Sequence, residues 1–202
     1  MDDIAPGGGR VKVWDPFVRI FHWSLAACVL GAFLVEEGDT AHRWLGYAAL
    51  GLVGARLLWG VIGSRHARFG DWVRGPHAVM AYLRERRAGI SQRRLGHNPA
   101  AAVMILALLA MVAAVGMTGW MQTWDRFFGA EWLEDIHEVL AWSLLGLVGM
   151  HVLAALVESV HYRENLVAAM WHGRKRALAD DASVAATHVD AVSAPLDLRK
   201  AH

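Results

Sequence analysis

The stretch Trp132–Ser159, WLEDIHEVLAWSLLGLVGMHVLAALVES, is a long apolar helical pattern with two histidines, His137 and His151, set fourteen residues apart. At about 100° and about 1.5 Å per residue, that spacing makes nearly four turns and about 21 Å. Both imidazoles therefore leave one face of one helix, near opposite ends of a hydrocarbon slab about 30 Å thick. Between them the same face carries Ala141, Leu144 and Val148, and no other ionisable group. An imidazole at membrane depth is rare and marks function. Two on one stripe, at opposite depths, point to two stacked cofactors, each needing a second ligand from elsewhere.

Composition agrees with a membrane protein, since 55% of the 202 residues are hydrophobic and the mean hydropathy is +0.29. Such a balance excludes a disordered or strongly charged binding module, and no nucleic-acid partner is expected. Trp14, Trp23, Trp44, Trp59, Trp120, Trp124, Trp132 and Trp171 lie near the ends of apolar runs, as an interfacial aromatic belt requires. Cys28 is the only cysteine, which leaves no internal disulfide, no paired-thiol metal site and no CxxCH for covalent haem attachment. The start, MDDIAPGGGR, is acidic and Gly-rich without a basic-then-apolar pattern, so no cleaved signal peptide is expected.

In chain order, residues 1–13 read as a flexible polar arm. Asp15-Pro16 is a helix start, with Asp as cap and Pro at the first helical position. Four spans are expected at about 17–35, 42–62, 99–120 and 132–159, so the fold class is all-α, an integral membrane four-helix bundle. Asn98-Pro99 repeats the cap-plus-proline start. The connection 63–98 holds eight arginines. Within it Pro76 opens a short amphipathic pattern that could lie along the membrane surface as an interfacial helix, a solvated basic loop being the competing reading. Residues 14–176 form the membrane domain, and 177–202 read as a disordered polar tail.

Arginine and lysine crowd into the N-terminal arm, the 63–98 connection and the tail, while the two short acidic breaks hold only Arg43 and Arg126. The positive-inside rule then makes both termini and the long connection cytoplasmic, in a multi-pass protein of the bacterial inner membrane. That orientation sets the depth of each histidine. His22 and His151 fall near the cytoplasmic face, His42 and His137 near the outer face. Each level draws one histidine from each of two helices, as a flat macrocycle clamped between helices requires. Two imidazoles fill both axial positions of a haem iron, which favours electron transfer over ligand chemistry.

The motifs WDPFVRIFHW, RGPHAVMAYL, LGHNPAA and HYRENLVAAMWHGRKR, with the two histidines of the last span, resemble bacterial cytochrome b561 proteins. The likeness covers roughly residues 11–176 and is strongest to the branch akin to the b-type cytochrome subunit of nickel-iron hydrogenases. It implies a four-helix membrane bundle, two non-covalent b-type haems and electron exchange with the quinone pool. The ligand histidines of that family match His22, His42, His137 and His151.

Other residues carry weaker readings. Arg56 lies fourteen residues after His42 and could counter a haem propionate, with snorkelling to headgroups as the alternative. Arg19 could serve the same propionates. Glu36 could exchange protons with a quinone or be an ordinary loop carboxylate. His97 is a candidate quinone or propionate contact; His77 and His161 read as structural or solvent-exposed, and Met104, Met111 and Met117 as core. The acidic breaks could dock a basic partner such as a soluble cytochrome c, or another oxidoreductase subunit. The expected function is electron transfer between quinone and a redox partner across the membrane, with quinone oxidoreductase activity if it is an enzyme at all. The alternative is a transporter with a histidine proton or metal relay.

Overall fold

The structure is a computed structural model that describes residues 10–64, 67–89 and 98–176. Each long helix begins where its sequence offers a cap. Helix α1 spans Pro16–Ala32, with Asp15 Oδ1 accepting from the Val18 N–H at 2.8 Å. Helix α2 spans Thr40–Ile62 behind Asp39. After the short α3, Phe69–Trp72, and α4, Pro76–Arg87, helix α5 spans Pro99–Met121. Its cap is Asn98, whose Oδ1 accepts from the Ala101 N–H at 2.7 Å. Helix α6 spans Glu131–His161, and α7, Leu166–His172, follows it. By length and composition α2, α5 and α6 are three helices able to cross a membrane; α1 is apolar but only 17 residues long. The chain is mostly helical, and the aromatic residues of the helix ends fit a membrane protein.

Helix α1 ends three residues before the expected Val35. Phe33 caps it, the Leu34 N–H turns back to the Gly31 carbonyl, and the exposed acidic loop 36–39 leads into α2. Helix α1 packs on α2, α2 on α5, and α5 on α6. At their centre sit Phe21, Ala49, Val53, Leu109, Val112 and Leu144, all buried. Gly116 lets α2 and α5 approach, since a Cβ there would lie 2.5 Å from Leu50 Cγ; small residues serve this purpose between membrane helices. Large apolar residues on the outward faces, among them Leu58, Val139, Leu153 and Val160, remain exposed. Trp44, Trp120, Trp124, Trp132 and Trp171 are exposed near helix ends, whereas Trp14 is buried and Trp59 stacks on Phe17 at 4.6 Å. Those last two serve packing instead of a belt.

Two expectations need correction. The chain is not wholly α-helical: β1, Arg10–Lys12, pairs antiparallel with β2, Arg174–Arg176. The expected free arm over 1–13 therefore does not extend to Arg10–Lys12. Gly173 makes the junction. It adopts the left-handed conformation (φ 78°), and its carbonyl accepts from the N–H groups of Val13 and Trp14 at 2.9 and 3.1 Å. A Cβ at position 173 would lie 2.8 Å from the Trp14 carbonyl oxygen, so the junction demands glycine. These pairings are long-range and leave no local periodicity to read. Residues 1–9 of the expected 1–13 arm, and the tail expected over 177–202, lie outside the described residues.

The connection after α2 does contain a helix where Pro76 announced one. Arg86 Nη1 reaches Glu158 Oε1 of α6 at 2.5 Å and donates to the Tyr82 hydroxyl at 3.0 Å. Burial works against the Arg86 charge, but Tyr82 and Glu158 more than offset it and hold the guanidinium above its ordinary pKa. A half-exposed pair of this kind is worth about 0.2–1 kcal/mol. Glu158→Gln is therefore expected to leave the long helices intact and to speed proteolysis within α4. Unchanged cleavage kinetics would show that the pair does not anchor α4.

Candidate functional site

The stripe read on α6 is the face that turns inward. Leu144 is buried and His137, Ala141, Val148 and His151 are half-buried, while Val139, Trp142, Met150, Val152 and Leu153 around them are exposed. Helical periodicity puts these five residues on one side, and Leu144 and Val148 there pack in one apolar cluster with residues of α2 and α5.

The four histidines meet in two couples. His22 of α1 faces His151 of α6 with ring centres 6.3 Å apart and planes at 52°. His42 of α2 faces His137 of α6 at 6.2 Å and 70°. Two imidazoles bonded to opposite sides of one metal ion, each at about 2.0–2.1 Å, place their ring centres about 6 Å apart. Both separations match that value. Along α6 the couples are about 21 Å apart, and the interval is filled by the apolar core, with Leu144 at 3% exposure.

The environments of the couples differ. His42 Nδ1 lies 3.0 Å from the Ala32 carbonyl oxygen, and His137 Nδ1 lies 3.0 Å from Thr118 Oγ1. His22 Nδ1 is buried without a hydrogen-bond partner. Its neighbours are aromatic: Trp23 at 5.0 Å, which itself meets Trp171 of α7 at 5.7 Å. Sequence reasoning missed Thr118, the only hydroxyl on α5. A polar group in an otherwise apolar span was the available signal. It also missed Gly119, where an added Cβ would lie 3.0 Å from His137 Cε1.

Arg56 is buried at 3% exposure in the corner between α2 and α3. Its Nη2 donates to the Ala67 carbonyl at 3.1 Å, and its guanidinium lies over the Phe69 ring at 4.9 Å. Asp15 supplies a nearby negative charge that sequence reasoning did not foresee. Arg56 Nη1 and Arg19 Nε are nevertheless buried without hydrogen-bond partners. Glu36 and His77 are exposed, Met111 packs against the core, and Met117 is exposed. His161 rests edge-on against Tyr162 at 4.7 Å. His97 lies outside the described residues.

Comparison with known proteins identifies the family of this chain. The family described as prokaryotic cytochrome b561 matches residues 13–173. A protein of Bradyrhizobium diazoefficiens named probable Ni/Fe-hydrogenase B-type cytochrome subunit is 24% identical over 220 residues, covering 85% of this chain and 88% of its own. One of the same name from Azotobacter vinelandii is 25% identical over 214 residues, covering 81% and 87%. No solved structure is a significant match.

Proposed function

The chain belongs to the prokaryotic cytochrome b561 family, and we propose that it is a four-span cytochrome holding two b-type haems. It passes electrons between the quinone pool and a redox partner across the bacterial inner membrane. The observation that carries this reading is the meeting of four histidines, from three helices, as two couples at 6.3 and 6.2 Å.

The residues present fit the group. Among the described residues no three His, Cys, Asp or Glu side chains come together. A two-imidazole site suits an ion whose remaining ligands come from a macrocycle, unlike tetrahedral zinc, which draws three or four ligands from protein. Haem bound at each site would supply one-electron iron chemistry. The chain's own residues do the rest. His22 and His151 hold one group, His42 and His137 the other. Arg56 Nη1 and Arg19 Nε are buried donors in need of an acceptor, and a propionate satisfies that need. Phe21, Val53, Leu109, Val112 and Leu144 keep the interval dry, which strengthens every electrostatic interaction inside it.

Helix α1 serves as the fourth span. Its 17 residues stand at the short end of the range for crossing helices of about 17–25, and it carries one ligand of a couple. Residues 14–176 are the cytochrome domain. The basic connection and both termini face the cytoplasm by the positive-inside rule. The acidic loops, with Glu36, Glu37 and Asp39 before α2 and Glu131, Glu134 and Asp135 at the start of α6, face out. The hydrogenase-subunit relatives favour a redox enzyme as partner; a basic cytochrome c would dock on the acidic loops by charge complementarity.

Purified protein is expected to show reduced b-type absorption bands, a pyridine-extractable stoichiometry of two haems per chain, and reduction of both haems by quinol. A colourless protein that binds zinc would sink the reading in favour of a metal or proton path.

A further inference from the structure

The two couples are not chemically equivalent, and the difference is written into hydrogen bonds of α1 and α5. Thr118 Oγ1 lies 3.0 Å from the Ala114 carbonyl oxygen and 2.9 Å from that of Val115. A carbonyl can only accept, and a hydroxyl has one proton, so that proton is committed to the helix backbone. Towards His137, 3.0 Å away, Thr118 Oγ1 is therefore an acceptor, and His137 Nδ1–H donates to it. His42 is held the same way: the Ala32 carbonyl at 3.0 Å can only accept, so His42 Nδ1–H donates. Both rings of this couple thus carry their proton on Nδ1 and keep the Nε2 lone pair for a metal. In the other couple, His22 Nδ1 is buried with no such partner.

A hydrogen bond that draws on Nδ1–H makes the imidazole a stronger donor at Nε2, and a stronger donor favours the oxidised metal ion. We infer that Thr118 is a positioning residue that fixes the proton and orientation of His137 and makes the His42–His137 site the lower-potential one of the two. Gly119 completes the seat. An added Cβ would lie 3.0 Å from His137 Cε1, a contact tighter than ordinary packing that the ring would have to relieve by shifting. This inference rests on the di-haem reading above and adds a direction to it: at equilibrium an electron prefers the His22–His151 site.

The test is a redox titration of purified, haem-loaded protein, followed by optical and electron paramagnetic resonance spectra. Wild type is expected to show two midpoint potentials. Thr118→Val removes the hydroxyl acceptor of His137, leaving the Val115 carbonyl beside it, at nearly constant volume, and raises the lower potential alone. The oxidised-to-reduced ratio of that haem at fixed poise falls by about tenfold, the low end of effects from groups behind a ligand, or about 59 mV for one electron. Thr118→Ser keeps the hydroxyl and stays with wild type. Loss of one haem of two in Thr118→Val, with both retained in Thr118→Ser, supports the same role. The inference is overturned if Thr118→Val leaves both potentials unchanged, moves the higher one, or loses both haems together with Thr118→Ser. In those cases the di-haem reading survives so long as wild type holds two haems; wild type without them sinks both.

Discussion

Replacing His137 by Ala is expected to remove one haem per chain and leave the other in place with its spectrum intact. His42→Ala should remove the same haem, whereas His22→Ala and His151→Ala should each remove the second one. The reason is the separation of the couples. Each pair of rings meets across two helices at 6.2 or 6.3 Å, while about four helical turns of apolar packing lie between the pairs. Sites so far apart with no shared partner behave independently, and two ligands of one site do not. The double variant His22→Ala with His151→Ala should therefore hold as much haem as either single variant. His22→Ala with His42→Ala should hold none. Haem per chain by pyridine extraction, with the identity of the survivor read from its potential, decides the matter. If His22→Ala and His42→Ala lost the same haem, the pairing would be wrong.

Asp15 has the next largest expected effect, and it lies outside the couples. One oxygen caps α1 through the Val18 N–H at 2.8 Å. The other accepts from Trp59 Nε1 at 3.2 Å and from the Ser64 hydroxyl, so one carboxylate joins the start of α1 to the end of α2. It is also a counter-charge for buried Arg56. Losing an N-cap costs about 0.5–2 kcal/mol, and a stranded buried cation adds to that, for about 2–4 kcal/mol in Asp15→Ala. Thermal unfolding in detergent should show the loss. Asp15→Asn keeps the cap and should lose less.

The pH dependence has a definite sign. Burial pushes the Asp15 carboxyl up, but the hydrogen bonds from Ser64, Val18 and Trp59 and the Arg56 charge together hold it below its ordinary value of 3.8. A carboxyl lowered on folding binds fewer protons in the folded state, so it stabilises fully above its unfolded pKa of about 3.9. That contribution fades as pH falls through the lower folded value. Wild type should thus lose stability below about pH 4 more steeply than Asp15→Asn. Parallel curves for the two proteins would refute the role assigned to the charge.

Much of this was open to reading because helices in lipid must satisfy their backbone internally and so obey strong local rules. Asp15-Pro16 and Asn98-Pro99 announced helix starts that the capping distances bear out. The 3.6-residue period of His137, Ala141, Leu144, Val148 and His151 named the inward face of α6. The same period could not name what lies opposite. That Thr118 and Gly119 seat His137, that Asp15 reaches Trp59 and Ser64, and that Arg10–Lys12 pairs with Arg174–Arg176 are contacts between residues far apart in the chain. No spacing rule links such residues.

By itself, then, the order of amino acids announced the four long helices and the inward face of α6, because both follow from local caps and from the rise and rotation per residue. Only tertiary packing decided what holds His42 and His137 at Nδ1, the Ala32 carbonyl and the Thr118 hydroxyl. A hydrogen bond requires two groups within about 3 Å, and what brings them there is the packing of α1 on α2 and of α5 on α6.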